Sequence, residues 1–279
     1  MSISRGQQSA SAEDRVVSAD GTEIAFERSG SGPAVVLVAS ALADRSDTAK
    51  LAGLLAEHFT VINYDRRGRG ASGDADAYAV AREVEDIAAL VEHVGGFASL
   101  FGSSSGAVLA LRAAAAGVHI ERLALYEPPF VVAEGDDGPP ADLARRVAML
   151  LAEGRHSDAV RYFMTRVQGM PGIAVSLMRL MPKTWASLTA LARTLPYDIA
   201  VMGDTQRGRP LDAGEWDGVA APTLVLTGGK SPAAFQRAAR AICEILPRAD
   251  HRTVPGLNHG AVVMAPKKVA PRIAAFLKG

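Results

Sequence analysis

Short apolar runs that alternate with longer helical patterns are the feature that most constrains the fold of this chain. The apolar runs lie at residues 35–38, 60–64, 98–101, 123–126, 223–226 and 251–254. Between them, residues 78–94 show the helical pattern most clearly, with apolar side chains recurring every three or four positions. Because neighbouring parallel strands need a crossover connection, usually a helix, this alternation predicts an α/β fold. We expect a mostly parallel sheet with helices on both faces.

Two departures from the alternation complete the predicted architecture. Near the start, residues 15–17 and 22–28 flank an Ala-Asp-Gly turn, which predicts a hairpin and an antiparallel edge to the sheet. Between two of the sheet strands lies a long stretch of helical segments and Pro/Gly/Asp-rich joints without a buried strand. The predicted units are a mobile tail at residues 1–14, a core at residues 15–127 and 223–279, and a helical cap at residues 128–222.

The composition is that of a globular protein and argues against several other classes. Hydrophobic residues make up 48% of the chain and charged residues 22%, so a large buried core is expected. Thirty Lys and Arg residues balance thirty Asp and Glu residues, which argues against a nucleic-acid-binding protein. Cys243 is the only cysteine, so an intramolecular disulfide and a cysteine-based zinc site are excluded.

The sequence also lacks targeting and membrane signals. No run approaches the ~18 consecutive apolar residues that a membrane-spanning helix needs. The first 15 residues are polar and small, without the apolar stretch of a signal peptide. We therefore expect a cytoplasmic protein with no membrane span. The sequence leaves the oligomeric state open between a monomer and a homodimer.

The segment Gly102-Ser103-Ser104-Ser105-Gly106 is the strongest local signal for chemistry. It fits the pattern G-x-S-x-G, follows a predicted strand and opens an Ala-rich helix. A sharp strand-to-helix turn of this kind exposes the middle serine, and the flanking glycines remove Cβ atoms that would clash. Ser104 is therefore the candidate nucleophile. The alternative is a glycine-serine turn that only caps a helix.

A serine hydroxyl needs an adjacent base to act as a nucleophile at neutral pH, and His259 is the candidate. It lies in the loop Pro-Gly-Leu-Asn-His-Gly after the last predicted strand. This loop should leave the carboxyl edge of the sheet, where Ser104 also lies and where open α/β sheets place their sites. The other histidines are expected at the surface: His58, His93, His119, His156 and His251.

Taken together, these motifs resemble the α/β-hydrolase fold family. The resemblance is carried by the serine turn, the helical insertion, the late Pro-Gly-x-x-His segment and Tyr-Asp-Arg-Arg-Gly-Arg-Gly at residues 64–70. It extends over residues 15–279. It implies an eight-stranded sheet, a cap over the active site and a Ser-acid-His order along the chain. No cofactor and no metal are implied.

The acidic residue of the Ser-acid-His order is not found at the position that is usual in this family. Members commonly carry Gly-x-x-Asp after the seventh strand, whereas residues 227–232 read Thr-Gly-Gly-Lys-Ser-Pro, without a carboxylate. Some members, including lactonases that act on zearalenone, use an acid after the sixth strand. Glu127 directly follows the strand predicted at residues 123–126 and is the candidate acid. A structural glutamate paired with an arginine is the alternative, and the weaker candidates for the acid are Asp198, Asp204 and Asp250.

The segment after the third strand also departs from the family pattern. Members often have His-Gly there, and this chain has Ala39-Ser40-Ala41-Leu42. The oxyanion donors are backbone N–H groups, so the side chains do not decide the assignment. By position we assign the N–H groups of Ser105 and Ala41, with Ser40 as the alternative to Ala41. Ser40 and Leu42 are candidate substrate-binding residues.

The function predicted from these residues is a serine hydrolase acting on a small, apolar ester or lactone. The cap is rich in methionine, which fills irregular apolar pockets: Met149, Met164, Met170, Met178, Met181 and Met202. Two alternatives stay open. The same fold supports lyases, perhydrolases and cyclases, and a hydrolase scaffold can also serve as a non-catalytic small-molecule receptor. The receptor hypothesis predicts that Glu127 lies far from His259.

Overall fold

Eight strands form one mostly parallel sheet in the computed structural model, which describes residues 13–279. The strands are β1 Glu13–Val17, β2 Glu23–Ser29, β3 Ala34–Val38, β4 Thr60–Tyr64, β5 Ala98–Ser103, β6 Ile120–Tyr126, β7 Thr223–Gly228 and β8 Ala249–Val254. Their order across the sheet is β1-β2-β4-β3-β5-β6-β7-β8. The hairpin β1–β2 and the pair β2–β4 are antiparallel, and every other pair is parallel. This confirms the predicted fold class.

Eleven α-helices accompany the sheet within residues 13–279. They are α1 Arg45–Leu55, α2 Val80–His93, α3 Ser105–Ala115, α4 Leu143–Ala152, α5 His156–Arg166, α6 Gly172–Met178, α7 Pro182–Leu191, α8 Leu195–Met202, α9 Ala233–Ile245, α10 Ala261–Met264 and α11 Pro266–Leu277. One apolar cluster joins α2, α3 and α9 to the sheet, and a second joins α1, α10 and α11 to it. Helices therefore cover both faces, as the alternation predicted.

Strand β3 shows how the sequence builds these two layers. Its apolar residues are nearly all fully buried, and they alternate between the two clusters. Val36 and Val38 belong to the cluster of α2, α3 and α9, whereas Val35 and Leu37 belong to that of α1, α10 and α11. Successive side chains of a strand point to opposite faces, so a strand buried on both faces reads as a continuous apolar run.

Several element boundaries differ from those expected. Strand β1 begins at Glu13, inside the predicted tail, because Glu13 and Asp14 continue the pairing with Glu27 and Phe26 of β2. The rest of that tail, residues 1–12, lies outside the described residues. Helical composition predicts a helix over residues 51–59, but α1 begins six residues earlier, at Arg45, because a capping box formed by Asp44 and Asp47 initiates it.

The segment at residues 128–222, called the helical insertion below, carries helices α4 to α8 between β6 and β7. Its side chains form a third apolar cluster, which also takes in Ala41 and Leu42 from the loop after β3. The sequence predicts one helix over residues 185–195; instead α7 is followed by a short 3-10 turn and then by α8. Within residues 13–279, no helix combines the length and the hydropathy needed to traverse a bilayer.

Gly106, in the first turn of α3, allows this helix to approach β3. A Cβ at this position would lie 2.3 Å from the carbonyl oxygen of Val38 and 2.5 Å from that of Ala39. We expect Gly106→Ala to lower the free energy of unfolding by about 1–3 kcal/mol, because backbone atoms must move to make room. Chemical denaturation measures this change.

Gly53→Ala is the matched control, since Gly53 is also helical but a Cβ there meets no atom within 4 Å. Helix propensity alone should make it neutral or more stable by up to ~1 kcal/mol. Equal stability of the two variants would contradict the packing argument.

Candidate active site

Ser104 lies between β5 and α3 in a backbone conformation that side chains rarely adopt. Its φ is 53° and its ψ is −125°. Gly203, after α8, has nearly the same angles, with φ 53° and ψ −130°, so this chain uses glycine for that conformation elsewhere. The turn is tight: a Cβ on Gly102 would lie 2.4 Å from the carbonyl oxygen of Gly106. Ser104 is thus held in a strained strand-to-helix turn.

Strain of this kind is concentrated at one edge of the sheet. Within residues 13–279, the non-glycine residues with positive φ are Leu42, Ser104 and Glu127, at 55°, 53° and 48°. They follow β3, β5 and β6, which are adjacent strands of the parallel sheet. Each such residue costs of order 1–3 kcal/mol, and residues of this kind cluster at functional sites. The backbone therefore marks the carboxyl edge of these three strands as a candidate site.

His259 connects the hydroxyl of Ser104 to the carboxylate of Glu127. Its Nε2 lies 3.1 Å from Ser104 Oγ, and its Nδ1 lies 2.8 Å from Glu127 Oε2. Two contacts hold the loop that carries it. Tyr126 donates a hydrogen bond to the carbonyl oxygen of Asn258 at 2.7 Å, and Gly228 lets Leu257 approach the end of β7. The structure therefore brings together the three side chains that the sequence singled out.

Glu127 is completely buried, and both of its carboxylate oxygens are occupied. Oε2 faces His259, and Oε1 accepts a hydrogen bond of 2.6 Å from the N–H of Gly228, the last residue of β7. The ring of Phe235 stacks on that of His259, with centroids 4.7 Å apart and planes 22° apart. No local pattern points to Phe235, because nothing in an amphipathic helix distinguishes a residue that stacks on a distant histidine.

The two residues assigned as oxyanion donors, Ser105 and Ala41, border the same space. Ser105 is the first residue of α3, so its N–H has no intrahelical acceptor. Ala41 lies in the loop after β3, and both residues line the cavity that contains Ser104 and His259. Ser40 and Leu42, which flank Ala41 and were the candidate substrate-binding residues, are not among the residues that line this cavity. Ser40 turns its carbonyl oxygen to Arg69, and Leu42 packs into the apolar cluster of the helical insertion.

The cavity has a volume of about 540 Å³, within the range typical of small-molecule sites. Its walls are largely apolar and come mostly from the helical insertion and from α9; they include Phe130, Leu143, Phe163, Ile199, Met202 and Phe235. Of the six methionines expected to line it, Met202 does so, whereas Met149 and Met181 are exposed on the surface. The apolar character was expected, but aromatic residues supply much of it.

Comparison with known proteins identifies the family. Residues 33–272 match the model of the alpha/beta hydrolase family. The chain belongs to that family. An alpha/beta hydrolase from Sphaerobacter thermophilus is 48% identical, with a TM-score of 0.86 over 94% of this chain and 99% of that one. A hydrolase from Pseudomonas aeruginosa PA01 is 23% identical and shares the fold, with a TM-score of 0.75 over 97% of this chain and 100% of that one.

A curated relative matches a shorter stretch of this alpha/beta hydrolase. The uncharacterized hydrolase YraK of Bacillus subtilis (strain 168) is 37% identical over 95 residues. The match covers 33% of this chain and 35% of that protein, so it leaves most of both chains uncompared.

Within residues 13–279, the carboxylate that hydrogen-bonds His259 is that of Glu127, and the other candidate acids bind elsewhere. Asp204 pairs with Arg207 and Arg209 on the surface, and Asp250 lies within β8, not before it, where it pairs with Arg252. Asp198 is buried, but it accepts a hydrogen bond of 2.8 Å from Ser105 Oγ. Within residues 13–279, no group of three His, Cys, Asp or Glu side chains is arranged to hold a metal ion.

Asp198 also binds two arginines of the Tyr-Asp-Arg-Arg-Gly-Arg-Gly segment. Arg66 donates to Oδ1 and Arg69 to Oδ2, each at 2.7 Å. Burial by itself would raise the pKa of Asp198, but the charges of Arg69 and Arg66 and the hydrogen bond from Ser105 outweigh it, so the pKa lies below its usual value. The carboxylate is therefore ionised at neutral pH, and the two guanidinium groups compensate its charge.

From the sequence, Asp65 is expected to form an ion pair with Arg66 and Arg67 and to cap the turn; the cap is present, but the two arginines pair with other carboxylates. Asp65 accepts hydrogen bonds from the N–H groups of Arg45 and Ala71 and so caps the turn. Arg66 pairs with Glu83 and Asp198. Spacing along the chain could not reveal these partners, because they lie on other elements.

The strain at Ser104 predicts a gain in stability when glycine replaces it. We expect Ser104→Gly to raise the free energy of unfolding by about 1 kcal/mol relative to Ser104→Ala, because glycine adopts this conformation without strain but is more flexible when unfolded. Urea denaturation of the two variants measures the difference. A glycine variant less stable than the alanine variant would show that the turn is not strained.

Proposed function

We propose that this alpha/beta hydrolase is a serine hydrolase that cleaves a carboxylic ester or lactone of a small, largely apolar compound. One observation carries the proposal. An unbroken chain of hydrogen-bonded side chains runs from Glu127 through His259 to Ser104, with separations of 2.8 and 3.1 Å. Ser104, at one end of this series, lines an apolar cavity, and Glu127, at the other end, is buried. This is the arrangement that activates a serine hydroxyl.

In the proposed reaction, His259 Nε2 takes the proton of Ser104 as Oγ attacks the carbonyl carbon of the substrate. The imidazolium then gives that proton to the leaving alkoxide, and the C–O bond breaks to leave an acyl group on Ser104. Water, deprotonated by His259 in turn, releases the acid and restores the hydroxyl. Glu127 holds the proton on Nδ1 and stabilises the imidazolium through both stages.

The N–H groups of Ser105 and Ala41 are the proposed donors to the oxyanion that forms in each stage. The positive end of the α3 dipole adds to their effect, because Ser105 opens that helix. Loss of a single donor of this kind typically lowers the rate by ~10²–10³. The strain at Leu42 supports the assignment of Ala41, since a costly backbone turn beside a candidate donor calls for a compensating role.

The position of Glu127 supports its role as the acid. Family members commonly have the acid after the seventh strand, and Glu127 Oε1 accepts a hydrogen bond from the N–H of Gly228 at the end of β7. A carboxylate from β6 thus reaches the end of the neighbouring strand. The receptor alternative, which requires Glu127 to lie far from His259, is disfavoured by their separation of 2.8 Å.

The substrate class follows from the cavity. The helical insertion serves as a cap in this proposal, because it supplies most of the apolar wall above Ser104. Apolar walls favour an aliphatic or aromatic acyl or ring group over a charged one. Arg237 and Asp136 also line the cavity, but they form an ion pair with each other, so neither charge is free to bind a substrate carboxylate.

The proposal predicts the activity of two variants on p-nitrophenyl butyrate. Ser104→Ala should abolish turnover, because the nucleophile is lost. Glu127→Gln should lower kcat by ~10³–10⁴, because the amide favours the wrong imidazole tautomer. Initial rates of p-nitrophenolate release measure both, and fluorophosphonate labelling followed by peptide mass spectrometry should locate the adduct on Ser104.

Ser103→Ala is the matched control. Ser103 is buried at the end of β5, next to Ser104 in the chain, and does not line the cavity as described. It should keep kcat within about threefold of wild type. Wild-type turnover by Ser104→Ala would refute the serine mechanism. Fluorophosphonate labelling of Ser104 without turnover of any ester or lactone would instead favour other chemistry on the same fold.

A further inference from the structure

We propose that Asp198, on α8 of the helical insertion, is a positioning residue that holds both amide donors of the oxyanion hole. The inference rests on the proposed function, because the oxyanion hole belongs to it. Asp198 touches neither Ser104 nor His259 through a hydrogen bond; its carboxylate is shared between Ser105 and two arginines that bind the loop after β3. One buried charge thus contacts both sides of the proposed hole.

The first connection is direct. Ser105 Oγ donates a hydrogen bond of 2.8 Å to Asp198 Oδ1. Only one torsion, about the Cα–Cβ bond, separates the serine hydroxyl oxygen from the backbone, so fixing that oxygen restrains the backbone to which it is attached. That backbone carries the N–H proposed to bind the oxyanion. A charged acceptor makes this hydrogen bond stronger than one between neutral groups.

The second connection runs through Arg69. Its Nη2 donates to Asp198 Oδ2 at 2.7 Å, and its Nη1 donates to the carbonyl oxygens of Ser40 and Ala43, at 2.7 and 3.0 Å. Those two carbonyls bracket Ala41 and the strained Leu42. The guanidinium therefore clamps the turn on both sides of the second proposed donor.

Arg66 completes the loop contacts. Its Nη1 donates to Asp198 Oδ1 at 2.7 Å and to the carbonyl oxygen of Ala39 at 3.2 Å, while Glu83 binds its remaining edge with two hydrogen bonds of 2.7 Å. The residues Ala39, Ser40 and Ala43 are thus all held by arginines that bind the same carboxylate. The loop has no regular secondary structure of its own to fix it.

The charges explain why Asp198 is the central residue of this arrangement. Both arginines are fully buried or nearly so, and a buried guanidinium requires a counter-charge. Glu83 supplies one for Arg66, but within residues 13–279 Asp198 is the only carboxylate in an ion pair with Arg69. Removing the charge of Asp198 therefore deprives Arg69, which binds the carbonyl oxygens of Ser40 and Ala43, of its counter-ion. Through this one carboxylate, the helical insertion positions both amide donors of the proposed oxyanion hole.

Two variants test the inference in the full-length enzyme. Asp198→Asn keeps the size of the side chain and removes its charge; Ser105→Ala removes only the direct contact and keeps the backbone N–H. We expect kcat for p-nitrophenyl butyrate to fall by about 10- to 100-fold in Asp198→Asn and about 10-fold in Ser105→Ala, below the loss for a donor removed outright. KM should stay within about threefold of wild type in both.

A pair of inhibitors separates positioning from general loosening of the fold. A trifluoromethyl ketone adds to Ser104 and places an oxyanion in the hole, whereas the matching methyl ketone binds without forming that charge. The variants should lose affinity for the first compound in proportion to kcat/KM and keep their affinity for the second. A purely structural role would lower both affinities together or leave both unchanged.

Glu215→Gln is the matched control for contacts between the insertion and the core. Glu215 pairs with Arg112 of α3 at 2.8 Å, away from the oxyanion hole, and the variant should keep kcat within about twofold. If Asp198→Asn does not fold, Ser105→Ala decides alone. Wild-type kcat in a folded Ser105→Ala, with Ser104→Ala inactive, would overturn this inference only; activity in Ser104→Ala would overturn the proposed function as well.

Discussion

The candidate site depends on a strained backbone at the carboxyl ends of three adjacent strands. Leu42, Ser104 and Glu127 each adopt positive φ just beyond β3, β5 and β6. Such conformations persist only where the surroundings over-determine them. Here the surroundings are close backbone contacts at Gly102 and Gly106, together with hydrogen bonds from Gly228 to Glu127 and from Arg69 to the loop around Leu42. The close packing at this edge is consistent with the position of Ser104, Ser105 and Ala41 around one cavity.

Two buried carboxylates share the control of that edge, and they do so in different ways. Glu127 is bound by a backbone N–H and by His259, so its charge lies behind the imidazole. Asp198 is bound by two guanidinium groups and a hydroxyl, so its charge is compensated and its hydrogen bonds reach backbone segments around the cavity. We propose that the first acts on the proton held by His259 and that the second acts on the geometry of the oxyanion hole. Both are buried, which makes either interaction stronger than it would be in water.

Much of the fold could be predicted from local patterns, and the errors have identifiable causes. Continuous apolar runs predicted the buried strands because strands covered on both faces need no polar positions. The start of α1 was missed because it depends on the Asp44 capping box, and α8 was merged with α7 because a proline can stand in the first turn of a new helix. The serine turn and His259 were recognisable because a strand-to-helix glycine motif and a late histidine loop are local signals. Phe235 and the partners of Arg66 and Arg69 were not, since they join elements far apart in the chain.

The sequence by itself determined the alternation of strands and helices, the choice of Ser104 and His259 as candidate nucleophile and base, and the absence of a carboxylate after the seventh strand. These properties follow from residue type and spacing, which constrain neighbours along the chain. Only the tertiary structure decided that Glu127 lies 2.8 Å from His259, and that Asp198 binds Ser105 and the arginine segment while Asp204 and Asp250 lie on the surface. A carboxylate's partner depends on which elements pack against it. That packing brings together residues separated by a hundred or more positions, and no local pattern encodes it.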